Sequence, residues 1–263
     1  MSLLDGKVAV VTGAGRGVGR AVAMAFASHG ALVALAARSA DEINSTAEEI
    51  GTAGGQALAI PTDVAQPADV KRLFDETRGQ FGPISILVNN AAIIGPTGML
   101  WDVDLDAWQE ILDINVLSIV RCCRAVLPGM IEQRYGKIIN VGSDAGWREG
   151  WAAQFSEQAA YGTSKAAIIR FSELLAHQVK RHGVNVNCLG VSAHTRMGYE
   201  ANMAMSQYRG TELPSPYEDI TLEKRVLPEE NVGAFVFLAS SLSDHVTGAY
   251  FEANRLPSLL LGN

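Results

Sequence analysis

The chain has 263 residues, 48% of them hydrophobic and 19% charged, with 26 Gly and 9 Pro; this ordinary globular composition excludes disorder, collagen and a disulfide scaffold. With 21 Lys and Arg against 28 Asp and Glu the formal charge is -7, which argues against a basic face for nucleic acid or an anionic membrane. The only cysteines, Cys122, Cys123 and Cys188, are odd in number and lack C-x-x-C spacing, so they read as thiols of a reducing cytoplasm and not as a zinc site or a disulfide framework.

The opening MSLLDGKVAVVTG has neither a cationic start nor a long apolar run, so neither a leader peptide nor a membrane span is expected. In chain order, short apolar runs predict strands over 8–11, 32–36, 57–60, 84–88, 137–141 and 184–189, and longer stretches between them, among them 20–29 and 166–182, have helical period. The strand runs are almost wholly apolar instead of alternating, as expected when helices cover both faces of a sheet. The expected class is therefore α/β, a doubly wound, mostly parallel sheet. No linker, charge block or repeat divides the chain, so residues 1–263 are expected to form one domain. The segment 195–225 breaks the rhythm with Met203, Met205, Tyr208, Pro214, Pro216 and Tyr217; an irregular substrate segment is expected there.

The first predicted strand enters Thr12-Gly13-Ala14-Gly15-Arg16-Gly17-Val18-Gly19, and a helical run follows. A tight glycine turn between strand and helix lets backbone N–H groups and the helix dipole approach a pyrophosphate, the arrangement of a Rossmann fold that binds a dinucleotide. An NAD-preferring site usually has an acid at the end of the second strand, whereas this chain has Arg38-Ser39. Arg38, with Arg16, suits a 2′-phosphate and so favours NADP, with NAD as the alternative; the competing reading makes both arginines solvated surface charges.

Tyr161 and Lys165 stand four apart at the start of a helical stretch and so share a face. A phenol of ordinary pKa about 10 becomes a usable acid or base beside a cation. Taken in order, the glycine loop, Asn89-Asn90-Ala91-Ala92, Asn115, Ser143 and Tyr161-x-x-x-Lys165 resemble the single-domain branch of the short-chain dehydrogenase/reductase family, similar to 3-oxoacyl-carrier-protein reductases and related alcohol or ketone oxidoreductases. The resemblance implies Tyr161 as proton donor and acceptor, Ser143 as hydrogen-bond donor to the substrate oxygen, Lys165 on the nicotinamide ribose and lowering the tyrosine pKa, and Asn115 holding a proton-relay water. It also implies that Gly13, Arg16, Gly17, Val18, Gly19, Asp63, Val64, Asn89 and Thr195 border the nucleotide. On the residues alone, Asp63 is equally a helix cap and Asn115 a mid-helix hydrogen-bonding residue. The activity implied is NADP-dependent interconversion of a secondary alcohol and a ketone. The alternatives are an NAD-dependent relative or a catalytically weak dinucleotide-binding regulator. The resemblance further implies a homotetramer, with helices around Asn115 and after Tyr161 at one interface.

Three segments depart from the family pattern. Ser143 and Tyr161 are 18 positions apart, about five more than expected; within that stretch Trp147, Trp151 and Phe155 either line a ligand pocket or cover core or a subunit contact. Val191-Ser192 stands where Pro-Gly is expected, and His194 nearby is a second acid–base group or a packed residue. At the end an apolar tail carries Leu256, Leu259, Leu260 and Leu261 and is expected to dock on a partner subunit.

Overall fold

The computed structural model describes residues 2–212 and 226–253; residues 213–225 of the expected substrate segment and the apolar tail lie outside the described residues. Seven parallel strands form one sheet: β1 (Val8–Thr12), β2 (Leu32–Ala37), β3 (Gln56–Pro61), β4 (Ile86–Asn89), β5 (Gly136–Gly142), β6 (Val184–Gly190) and β7 (Tyr250–Glu252), in the order β3-β2-β1-β4-β5-β6-β7. The doubly wound Rossmann sheet is thus as expected, with β7 added at the edge beside β6. Its three residues are too few to carry a pattern.

Helices α1 (Gly17–Ser28), α2 (Ala40–Thr52), α3 (Pro67–Phe81), α4 (Leu105–Leu112), α5 (Ser118–Gln133), α6 (Trp151–Gln154), α7 (Ala159–Val179), α8 (Arg196–Arg209) and α9 (Val232–Ala239) connect the strands. Alternate residues of β1 feed two cores: Ala9 and Val11 pack with Phe26 and Phe235 on one face, and Val8 and Val10 with Phe74 and Ile168 on the other. That two-sided burial is why β1, β2 and β4 are mainly apolar and why the polar side chains within the sheet, such as Asn89, Asn140 and Asn187, are buried and hydrogen-bonded.

The helical stretch Leu105–Gln133 is long and apolar enough to cross a membrane by composition. Its inner face, however, is taken up by the core, where Ile111, Ile119, Cys122 and Met130 are buried. Between α4 and α5 the stretch passes through a π turn, Asp113–Leu117. The expectation of irregular chain from 195 onward is corrected: residues 196–209 form α8, started by Thr195, whose hydroxyl accepts from the Gly198 N–H at 3.2 Å. Only Ala201 and Met205 of this helix are buried, so there is little apolar face for a periodicity argument to detect.

The sheet's topology reverses between β1 and β4, whose C-terminal ends diverge there. In an open α/β sheet this is where a crevice forms for a ligand.

Candidate active site

A cavity of about 920 Å³ opens at that crevice, at the upper end of the usual size for a small-molecule site. Its wall runs from Gly13, Gly15, Arg16, Gly17 and Val18 past Arg38, Asp63 and Val64 to Tyr161, Lys165 and Thr195. The loop at its near end needs glycine for two reasons. Gly13 and Gly17 have φ of 65° and 54°, and a Cβ on Gly19 would lie 2.2 Å from the Gly13 carbonyl oxygen. Gly19 therefore packs helix on loop and is absent from the wall, a correction to its expected place beside the nucleotide. Helix α1 starts without a side-chain cap and without an acid in its first turn, which leaves N–H groups and a positive dipole end for an anion. This cradle and the size of the cavity fit the pyrophosphate of a dinucleotide.

The Asn89-Asn90 pair divides its work differently from expectation. Asn89 belongs to β4 and is buried, donating to Asn140 Oδ1 at 2.8 Å, and it does not reach the cavity wall; Asn90 does. Asn90 Nδ2 donates to the Thr12 carbonyl at 2.9 Å and to the Gly13 carbonyl at 3.2 Å, while the N–H groups of Asn90 and Ala91 donate to Thr12 Oγ1 at 3.0 and 3.1 Å. One residue of pleat decides which asparagine points where.

At the far end, Tyr161 and Lys165 lie in the first turns of α7, and both reach the wall. Lys165 Nζ stands 5.5 Å from the Tyr161 ring centroid and donates to the Val141 carbonyl at 3.0 Å. Burial pushes the phenol pKa up to about 12, partly opposed by Ser143 and reinforced by the nearby Asp144 carboxylate, a correction to the lowering expected from Lys165, because burial outweighs the neighbouring groups. Burial also pulls the lysine down to about 8. Ser143 is buried just past the end of β5, between the wall residues Gly142 and Asp144 but not itself on the wall; its hydroxyl donates to Asp144 Oδ1 at 3.2 Å and accepts from the Ala145 N–H at 3.2 Å. Asn115 sits wholly buried in the π turn; its amide donates to the Ile93 carbonyl at 2.9 Å and to Ser164 Oγ at 3.1 Å, and accepts from the Ile93 N–H at 2.9 Å. Both amide hydrogens are committed, so the side chain fastens the 91–95 loop to α7.

The family model described as short chain dehydrogenase matches residues 7–204. The chain belongs to the short-chain dehydrogenase/reductase family. It is 32% identical to a 3-oxoacyl-[acyl-carrier-protein] reductase from Synechocystis over 256 residues, covering 97% of this chain and 98% of the relative. A short chain dehydrogenase from Pseudocercospora fijiensis is 40% identical over 183 residues, which span 69% of this chain and 57% of that longer relative. Among solved structures, L-sorbose reductase from Gluconobacter frateurii, complexed with NADPH and L-sorbose, superposes with a TM-score of 0.82 at 29% identity, covering 96% of this chain and 97% of that one. As a member of this family the chain is an oxidoreductase acting on CH–OH and ketone groups.

Some features of the wall were left open by the sequence, and others, Glu42 and the Glu157–Arg209 pair, gave no sign in it. Val191-Ser192, in place of Pro-Gly, is held by hydrogen bonds: Asn231 Nδ2 donates to the Ser192 carbonyl at 3.1 Å and the His194 N–H to the Val226 carbonyl at 2.7 Å. Glu42 reaches the wall and pairs with Arg16 at 3.3 Å. Of the aromatic residues before Tyr161, Trp151 and Phe155 line the cavity, whereas Trp147 is exposed and meets Tyr250 edge-on at 5.6 Å. The same stretch is latched to α8: Arg209 Nε and Nη2 donate to the two oxygens of Glu157 at 2.7 and 2.8 Å, and Nη2 also donates to the Gln154 carbonyl at 2.6 Å. No sequence spacing announces a pair 52 positions apart.

The Arg209 guanidinium holds the Glu157 carboxyl down at about 2 from its ordinary 4.5. A carboxylate with a lowered folded pKa contributes stability that is complete above the ordinary value and disappears as pH falls towards the lowered one. The thermal midpoint of the wild type should therefore exceed that of Glu157→Gln above pH 5, and the gap should close between about pH 4.5 and 2. A gap that does not vary with pH over this range refutes the latch.

Proposed function

We propose that this chain is an NADP-dependent enzyme that interconverts a ketone and a secondary alcohol, with Tyr161 as the general acid and base. The observation that carries the reading is Tyr161 on the cavity wall with Lys165 Nζ 5.5 Å from its ring centre and Ser143 close by at the end of β5, at the far end of a cavity that begins at an uncapped glycine loop. When bound, the nicotinamide nucleotide supplies or accepts the hydride. Gly13, Gly17 and Val18 hold its pyrophosphate, Arg38 with Arg16 its 2′-phosphate, Asp63 and Val64 the adenine, Asn90 and Thr195 the nicotinamide end, and Lys165 the ribose. With its pKa raised, Tyr161 keeps its proton at neutral pH, the form that donates to a ketone oxygen. Ser143 orients that oxygen by donating to it. Asn115 positions α7 through Ser164 and the loop through Ile93.

The preference for NADP rests on Arg38, which lies exposed on the wall and makes no ion pair among the described residues. It is supported by the NADPH complex of the sorbose reductase. Glu42 is the observation on the side of NAD, since a carboxylate there accepts from ribose hydroxyls, but Arg16 already occupies it. The whole chain is read as one dinucleotide-binding domain with its substrate segment over 195–225. Its place is the cytoplasm, in keeping with three buried, unpaired thiols. A homotetramer is supported by Leu117 and Leu174, exposed on the π turn before α5 and on α7.

Three measurements test this reading. Tyr161→Phe should lower kcat by about 10²- to 10⁴-fold while leaving nucleotide affinity within a few-fold; near wild-type kcat refutes the mechanism. Arg38→Asp should cut kcat/KM for NADPH by about tenfold or more and raise that for NADH; unchanged nucleotide preference assigns selectivity elsewhere. Light scattering should give a tetramer for the full chain and a smaller or less stable species after truncation at Asn254. A full-length monomer removes the assembly proposal.

A further inference from the structure

We infer that the substrate is an uncharged ketone or secondary alcohol carrying a flat apolar ring, and that Trp151 is the residue that selects it. The inference rests on the oxidoreductase reading above and names the substrate class of that same site. The stretch between Ser143 and Tyr161 folds into α6 and a short 3-10 turn, Ser156–Gln158, which bring Trp151 and Phe155 to the cavity wall. A Cβ on Gly162 would lie 3.1 Å from a ring carbon of Trp151. Glycine at that position lets the indole settle against the first turn of α7, one residue along from the reacting phenol. The Phe155 ring stands 5.2 Å from the indole, tilted by 39°. Both side chains are half-buried, so part of each ring remains open to an occupant of the cavity.

The charge on this part of the wall argues for a neutral ligand. Arg148 is paired with Asp144 at 3.2 Å and Arg196 with Glu200 at 2.9 Å, and Lys165 donates to a carbonyl within the fold. No cation at this end of the wall is thus left without a partner to receive a carboxylate or phosphate, among the described residues. Ile94 and Met197 complete an apolar surface. A planar ring gains offset or edge contacts with the indole beyond simple area burial, whereas a flexible alkyl chain of equal carbon number gains area alone and loses rotamer freedom on binding. The rings are held in place before any substrate arrives, because Glu157 beside them is fastened both to Arg209 and, through its carbonyl, to the Gly98 N–H at 2.9 Å.

The test compares NADPH oxidation with propiophenone and with 2-nonanone, which have the same number of carbons, and with an acetoacetyl thioester. Wild type should show kcat/KM for propiophenone about tenfold or more above that for either other compound. Trp151→Ala should reduce the ratio of propiophenone to 2-nonanone towards one, and Trp151→Phe, which keeps a ring in place, should retain most of it. A wild-type preference for 2-nonanone or the thioester overturns the inference, as does an equal loss on both ketones in Trp151→Ala. Those outcomes leave the oxidoreductase reading standing. Absence of NADPH oxidation with all three compounds, unaltered by Tyr161→Phe, overturns that reading and the inference with it.

Discussion

A chain of buried side-chain hydrogen bonds crosses the middle of the sheet and ends on the helix that carries Tyr161. Asn89 of β4 donates to Asn140 of β5 at 2.8 Å, Asn140 to Ser172 of α7 at 2.9 Å, and Ser172 to the Ile168 carbonyl at 2.7 Å. All three polar side chains are essentially inaccessible to water, so breaking any link strands a buried donor or acceptor at about 1–3 kcal/mol. Apolar packing tolerates small slides of a helix over a sheet, but this chain does not. It sets the height of α7 relative to β4 and β5, and hence where Tyr161 stands above the strand ends.

The remaining contacts of the site extend from that fixed point. Asn115 in its π turn ties Ser164 of α7 to the 91–95 loop, and Thr12 with Asn90 ties the start of that loop to β1 and the glycine turn. The two ends of the cavity are thereby connected through a single run of backbone. A displacement at the glycine loop reaches α7 through hydrogen bonds at every step and not through compressible apolar contacts. Such rigidity is what positioning for hydride and proton transfer demands, since small errors of placement are costly to the rate.

Burial acts on the two ionisable groups of α7 in opposite senses, raising the phenol and lowering the ammonium. Both shifts follow from removing a charged form from water. The protein alone thus holds the tyrosine in its proton-carrying state and the lysine close to titration. Lys165 meets a backbone carbonyl instead of a carboxylate, so nothing in its immediate contacts fixes its charge permanently. By contrast, Arg148 and Arg196 at the same end of the cavity are each paired with an acid, Asp144 and Glu200.

Local sequence was enough to determine the sheet strands up to β6, because two-sided burial forces continuous apolar runs. It also determined the glycine loop, because only glycine accepts that turn, and the Tyr161–Lys165 pair, because four residues on a helix share a face. The tertiary structure alone decided the features that depend on phase or distance. Whether Asn89 or Asn90 faces the cavity turns on where the pleat of β4 ends; Gly19 supports the loop and does not line it because α1 presses on the Gly13 carbonyl. Helix α8 left almost no periodic trace, since it shelters only two side chains, and the Glu157–Arg209 latch joins segments whose proximity exists only after the chain has wrapped around the sheet. The aromatic pair Trp151 and Phe155 was visible as composition, but its place on the wall follows from packing against Gly162, a contact that no spacing rule encodes.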